Sequence, residues 1–82
     1  MRKLGKHQSL IMESLKKGKH IRSEICGWLF NHKKMRVETE DRLWATGELI
    51  EVRVEGKRAS QCKIIHKTHF DPEVHTITKE PS

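Results

Sequence analysis

The chain has 82 residues, of which 34% are hydrophobic and 34% are charged, and this composition predicts one small domain. Seventeen Lys and Arg residues outnumber eleven Asp and Glu residues, so the formal net charge is +6. The sequence lacks an apolar run of about 20 residues for a membrane span and lacks a signal-peptide pattern. Its two distant cysteines, Cys26 and Cys62, favour a reduced, cytoplasmic protein.

The positive charge is concentrated in the N-terminal part of the chain. Residues 1–36 contain ten Lys or Arg and two acidic residues, a net charge of +8. Residues 37–82 contain seven basic and nine acidic residues, a net charge of −2. A basic half on a small domain favours a polyanionic partner, although it also fits a surface that is merely soluble.

Three helices are predicted in the first part of the chain. The first covers 6–17 and ends at Gly18, where a left-handed cap is favourable. The second begins at Ser23, a residue typical of N-caps, and ends near Phe30. The third covers 34–46 and ends at Gly47, but its apolar stripe is interrupted by acidic residues.

A β-hairpin is predicted after Gly47. Apolar and polar residues alternate over 49–54, residues 55–58 form a turn, and 62–67 form the second strand. Residues 68–82 contain both prolines of the chain and are expected to be a flexible C-terminal tail after a domain that covers 1–67.

This order of elements resembles the winged helix-turn-helix family. The features that carry the resemblance are Ile21 as an extended link, Ile25 and Leu29 on the second helix, Leu43-Trp44 followed by Gly47-Glu48-Leu49-Ile50, and Gly56-Lys57-Arg58 at the wing tip. The resemblance implies an α+β (α/β) fold with three helices and a two-stranded wing. Acidic Glu40 or Asp41 falls where the family has an apolar residue, which departs from its pattern.

The resemblance further implies that the protein binds double-stranded DNA as a small transcriptional regulator. Because a single winged domain has a small footprint on DNA, we expect a homodimer on paired half-sites or a larger partner assembly. In such proteins one helix enters the major groove and the wing contacts the backbone or minor groove. Basic side chains bind phosphate and Arg also recognises guanine. The expected DNA-binding residues are Lys33, Lys34, Arg36, Thr39 and Arg42 near the third helix, and Lys57 and Arg58 on the wing.

A protein partner is an open alternative to DNA. Glu38, Glu40 and Asp41 place three carboxylates on the expected reading helix, and carboxylates repel phosphate. A winged-helix interaction module, acting as an inhibitor or adaptor of a nucleic-acid-processing machine, fits the same sequence.

We expect no enzyme activity, cofactor or metal site. Cys62, His66, His69 and His75 offer four zinc-ligand types, but they divide between a strand and the tail, whereas zinc needs them to converge. No Cys–His pair has an evident third group to orient it. Trp28, Phe30 and Trp44 are expected in the core rather than on a base-stacking surface.

Overall fold

The computed structural model describes residues 4–56 and 59–81. Two helices, α1 and α2, and six strands, β1 to β6, form the domain together with one 3-10 turn. In chain order these are α1 (Lys6–Lys16), β1 (Ile21–Glu24), β2 (Gly27–Phe30), β3 (Lys33–Lys34), α2 (Val37–Trp44), β4 (Leu49–Val54), β5 (Gln61–His66), the 3-10 turn (Lys67–His69) and β6 (Thr76–Lys79).

The six strands form one antiparallel sheet in the order β3-β2-β1-β5-β4-β6. Ile21 lies opposite Ile64, and this β1–β5 pairing joins the basic N-terminal strands to the β4–β5 hairpin. The sheet therefore places β3 at one edge and β6 at the other.

Both helices pack on one face of the sheet. Ile11 and Leu15 of α1 and Leu43 of α2 are buried, because their spacing of three or four residues places them on one side of a helix. They meet Ile21 and Ile64, which alternation along β1 and β5 directs to the same face. Burying each of these large side chains contributes about 1.5–3 kcal/mol.

The opposite face has a smaller cluster of its own. Ile50, Val52 and Ile65 are buried there, and Phe70, which follows the 3-10 turn, packs against them. This cluster lies on the β4–β5 side of the sheet, so Phe70 covers that part of the face.

The expected winged helix-turn-helix architecture is wrong. The described residues contain two helices and a six-stranded sheet, rather than three helices with a two-stranded wing. The stretch predicted as the second helix is the β1–β2 hairpin, in which Ser23 pairs with Trp28 instead of capping a helix.

Two local features explain why this stretch is extended. Gly27 has a φ of 124°, which is far from helical values. Residues other than glycine rarely adopt a φ in this range. Trp28 and Phe30, two residues apart, share one face of β2 and pack against the core. A helix that packed Ile25 and Leu29 against the core would have buried less apolar surface. In the observed hairpin, Ile25 is fully exposed at the turn.

Other predicted elements are found nearly where the sequence placed them. The first helix ends one residue earlier than expected, and Gly18 follows it with a φ of 108°. The third predicted helix is shorter, Val37–Trp44, because Lys33–Lys34 belongs to a strand. The predicted hairpin is confirmed as β4 and β5.

The segment 68–82, which we expected to be a flexible tail, contains β6. This strand pairs with β4, with a register shift at Glu51 and Val52. The hydroxyl of Thr78 donates to Glu51 Oε2 at 2.7 Å, and Lys79 Nζ lies 4.3 Å from the Trp44 ring centroid. These contacts hold the segment against β4 and α2.

Candidate functional site

Basic side chains, most of them from the N-terminal half of the chain, lie together around β1, β2 and β3. We call this region the cationic end. Its members come from the α1–β1 link, β1, the β2–β3 turn, β3, the residue before α2, and β5: they are Lys19, His20, Arg22, His32, Lys33, Lys34, Arg36 and Lys63. Glu24 is the one acidic residue on β1, β2 and β3.

A tight turn produces the edge of this region. Asn31 and His32 both have positive φ, 49° and 65°, as a two-residue type I′ hairpin requires. The turn sets Lys33 opposite Phe30 and Lys34 opposite Leu29. Alternation then sends the two lysines to opposite faces of the sheet, so both faces are basic at this edge.

A cleft of about 200 Å³ opens on the face that does not carry the helices. Arg22 is held in it by two partners: its Nε lies 3.3 Å from Glu24 Oε1, and its Nη2 lies 3.3 Å from His32 Nδ1. Lys19, His20 and Leu29 also line the cleft. Three ionisable nitrogen groups, besides Arg22, therefore border one small depression.

The imidazole of His20 lies close to other basic groups of this cleft, and its pKa is shifted. Partial burial, followed by the charges of Lys63 and Arg22, lowers the pKa of its imidazole. The neutral form of the imidazole is therefore favoured at neutral pH. The positive charges of Lys63 and Arg22 beside the ring would attract an anion.

A larger groove, of about 590 Å³, lies between α1 and the β2–β3–α2 segment. Ile11, Phe30 and Met35 contribute apolar surface to it, and Leu10 beside them is exposed. The basic residues that line it are His7, Lys33, Lys34 and Arg36. The groove thus combines apolar contact area with positive charge.

The structure brings together only some of the residues predicted to bind DNA. Lys33, Lys34 and Arg36 are exposed at the cationic end. Thr39 is buried on the inner side of α2, and Arg42 is exposed on its outer side. Lys57 and Arg58 lie outside the described residues.

The outer side of α2 is predominantly acidic. Glu38 and Asp41 are exposed beside Arg42, and Glu40 is half-buried. Burial, then Asp41, raises the pKa of Glu40, with Lys79 opposing and Glu51 adding to the shift. An anionic ligand would meet several carboxylates here, and only Arg36 and Arg42 offset them along the helix.

Reasoning from sequence did not select His20, Arg22, His32 or Lys63 as site residues. The signal that could have found them is alternation: with Ile21 inward, Arg22 must face the other side of its strand. Without the pairing of β1 with β5, nothing in the sequence places Lys63 next to Arg22.

The remaining histidines serve the fold or stand apart. His66 is buried, its Nδ1 accepts from the Thr68 amide at 3.3 Å, and its Nε2 is 3.5 Å from Glu48 Oε1. His69 Nε2 lies 2.7 Å from the Lys16 carbonyl oxygen, which ties the 3-10 turn to α1. Among residues 4–56 and 59–81, no three metal-ligating side chains converge.

None of the four aromatic residues is fully exposed. Trp44 is buried, and Trp28, Phe30 and Phe70 are half-buried against the two apolar clusters. The prediction that Trp28, Phe30 and Trp44 belong to the core is confirmed for Trp44, whereas Trp28 and Phe30 pack against the core and stay half-buried.

Comparison with known proteins gives no match, whether with family models, curated proteins or solved structures. In the described part of the chain, neither helix has the length and apolar character to cross a bilayer.

Proposed function

We propose that the protein binds double-stranded DNA through the cationic end. The observation that supports this most strongly is the accumulation of eight basic or imidazole side chains around three strands that carry a single acidic residue, Glu24. Phosphate contacts from Lys and Arg supply most of the affinity in non-specific DNA binding.

The distribution of charge also orients the protein on a polyanion. The basic cluster lies at the β3 side of the sheet, whereas α2 and the residues near β6 carry Glu40, Asp41 and Glu51. A duplex would attract the first region and repel the second, because the potential of a surface follows its summed charges.

A duplex suits this surface better than a single strand does. Proteins that bind single strands stack exposed aromatic rings on the bases. None of the four aromatic residues is exposed here, and the basic side chains lie at the surface, where a phosphate backbone can reach them.

The distribution of charge favours the cationic end over α2 as the principal contact. The expected reader helix presents Glu38 and Asp41 beside Arg42, so its outer side is a poor match for phosphate. Regulation of transcription and a homodimer on paired half-sites stay predictions.

The groove beside α1 favours a second candidate function, the binding of an acidic protein segment. Its apolar contribution from Ile11, Phe30 and Met35 would receive apolar side chains, and Lys33 and Arg36 would pair with carboxylates. This is the adaptor or inhibitor alternative, located on a specific surface.

Fluorescence anisotropy with a labelled random-sequence duplex of about 20 base pairs tests the DNA proposal. The logarithm of the association constant K should fall by about 0.9 per phosphate contact for each tenfold rise in salt concentration. The variant Lys33→Gln/Arg36→Gln should weaken binding at least about tenfold at low salt. The charge-matched control Arg42→Gln/Lys79→Gln, on α2 and β6, should weaken it much less.

Two results would contradict the proposal: absence of duplex binding at low salt, or equal losses in the two double variants. Recovery of a stoichiometric protein partner that survives nuclease treatment, and that Lys33→Gln/Arg36→Gln abolishes, would support the second candidate instead.

A further inference from the structure

The cleft around Arg22 has the composition of a phosphate site. Arg22 provides a guanidinium whose Nε and Nη2 contact Glu24 and His32, and whose Nη1 carries further donors for a ligand. Lys19 and His20 border the same cleft, and Leu29 contributes its apolar side. A volume of about 200 Å³ accommodates a phosphate group with its bound water.

Arg22 is oriented in the cleft by two contacts. Its Nη2 donates to His32 Nδ1 at 3.3 Å, because a guanidinium only donates. Its Nε lies 3.3 Å from Glu24 Oε1, so the guanidinium is fixed from two sides.

His20 is poised to gain a proton when an anion arrives. The charged or titratable groups that line the cleft or belong to the strands beneath it are Lys19, Arg22, Glu24, His32, Lys34 and Lys63. All except Glu24 are basic, so neighbouring charge disfavours the imidazolium form of His20 in the absence of a ligand.

We infer that this cleft binds one backbone phosphate of the duplex, and that His20 takes up a proton from solvent as the phosphate enters. The inference rests on the proposed DNA binding. A phosphate adds one negative charge among the basic groups that line the cleft with His20, and therefore stabilises its imidazolium form. Lys19 and Arg22, which line the same cleft, donate to the phosphate oxygens.

This coupling makes duplex affinity depend on pH. Linkage requires that log K rise by as much as about one for each unit of falling pH and each proton taken up. Between about pH 8 and pH 6, where histidine titrates, the affinity of the parent protein should increase at least about tenfold at constant ionic strength.

The test compares two variants in the same anisotropy titration. His20→Gln keeps an amide donor in the cleft but cannot gain a proton, so its affinity should vary much less with pH than that of the parent protein. The control His7→Gln/His75→Gln removes two histidines from outside the cleft and should retain the pH dependence of the parent.

Calorimetry of the parent protein gives the second readout. Binding enthalpies measured in buffers with different ionisation enthalpies should show net proton uptake near neutral pH, and the cleft variant should lose it. Tight binding without proton uptake, or with the same pH dependence in the cleft variant, would overturn this inference and leave the DNA proposal standing. Failure of the duplex to bind at every pH would instead overturn the DNA proposal on which it rests.

Discussion

Arg22 on β1 lies directly opposite Lys63 on β5 in the antiparallel sheet. Two like charges at facing positions destabilise a strand pair, typically by about 0.2–1 kcal/mol. The pairing is unfavourable for the sheet alone, and it becomes favourable once an anion lies between the two side chains. We interpret it as a stability cost that accompanies the binding surface.

Substitution of Lys63 should therefore raise the stability of the fold while it lowers the affinity for the duplex. We expect Lys63→Gln to increase the free energy of unfolding by up to about 1 kcal/mol, because the repulsion with Arg22 is removed. The same change should weaken duplex binding. Thermal unfolding and anisotropy of one preparation measure both effects, with Lys67→Gln on the 3-10 turn as the control. Destabilisation by Lys63→Gln would contradict this interpretation.

Gly27 distinguishes the observed hairpin from the helix that the sequence suggested. At a φ of 124°, Gly27→Ala forces a side chain into an unfavourable backbone conformation and should destabilise the protein by about 1–2 kcal/mol. In a helix the same substitution would stabilise it by up to about 1 kcal/mol. Urea unfolding gives the sign directly, and a stabilised variant would refute the β1–β2 hairpin.

Two isoleucines near that hairpin provide an independent check. Ile25 is fully exposed at the turn, so Ile25→Ala should change the free energy of unfolding by less than about 0.5 kcal/mol. Ile21 is buried opposite Ile64, and Ile21→Ala should cost about 2–5 kcal/mol. If the two variants were equally destabilised, Ile25 would have to be buried, as the helical interpretation requires.

Because of Glu40, the free energy of unfolding should depend on pH. Its pKa is raised in the folded protein, above the ordinary value of 4.5, so the folded state binds more protons than the unfolded state in that range. Stability therefore falls as pH rises through the raised pKa. Near neutral pH, Glu40→Gln should stabilise the protein by less than about 1 kcal/mol, since solvent screens a half-exposed carboxylate.

Melting temperatures at neutral pH and below pH 4.5 measure this effect, since the advantage of Glu40→Gln should vanish at the lower pH. Glu38→Gln is the matched control in the same first turn of the helix, where negative charge is favourable. It should give no gain, because Glu38 is exposed whereas Glu40 is half-buried. A gain that persists in acid would show that burial of the amide, rather than loss of charge, is responsible.

The sequence was sufficient to predict those elements whose pattern is long. The first helix has eleven residues with a consistent apolar side, and β4 alternates over six residues next to a turn, so both were found. The stretch 23–30 was ambiguous, because Ile25 and Leu29 fit a helical spacing while Trp28 and Phe30 fit a strand. The conformation of Gly27 and the tertiary burial of the two aromatic rings decide in favour of the strand.

The candidate site was predictable only in part for a related reason. Lys33, Lys34 and Arg36 are adjacent in sequence, so any interpretation groups them. Arg22 and Lys63 are brought together by a long-range strand pair, which local patterns do not reveal. The prediction that Thr39 faces outward depends on the phase of the helix, which the sequence does not fix. The observed helix begins at Val37, and its phase turns Thr39 toward the core.

Backbone amide chemical shifts of the full chain, recorded by NMR during titration with a random-sequence duplex, test the DNA proposal most directly. The account predicts that perturbed amides cluster in β1, the β2–β3 turn, β3 and around Lys63, with little change along the outer side of α2 or in β6. Perturbations concentrated on α2, or an unchanged spectrum at low salt, would contradict it.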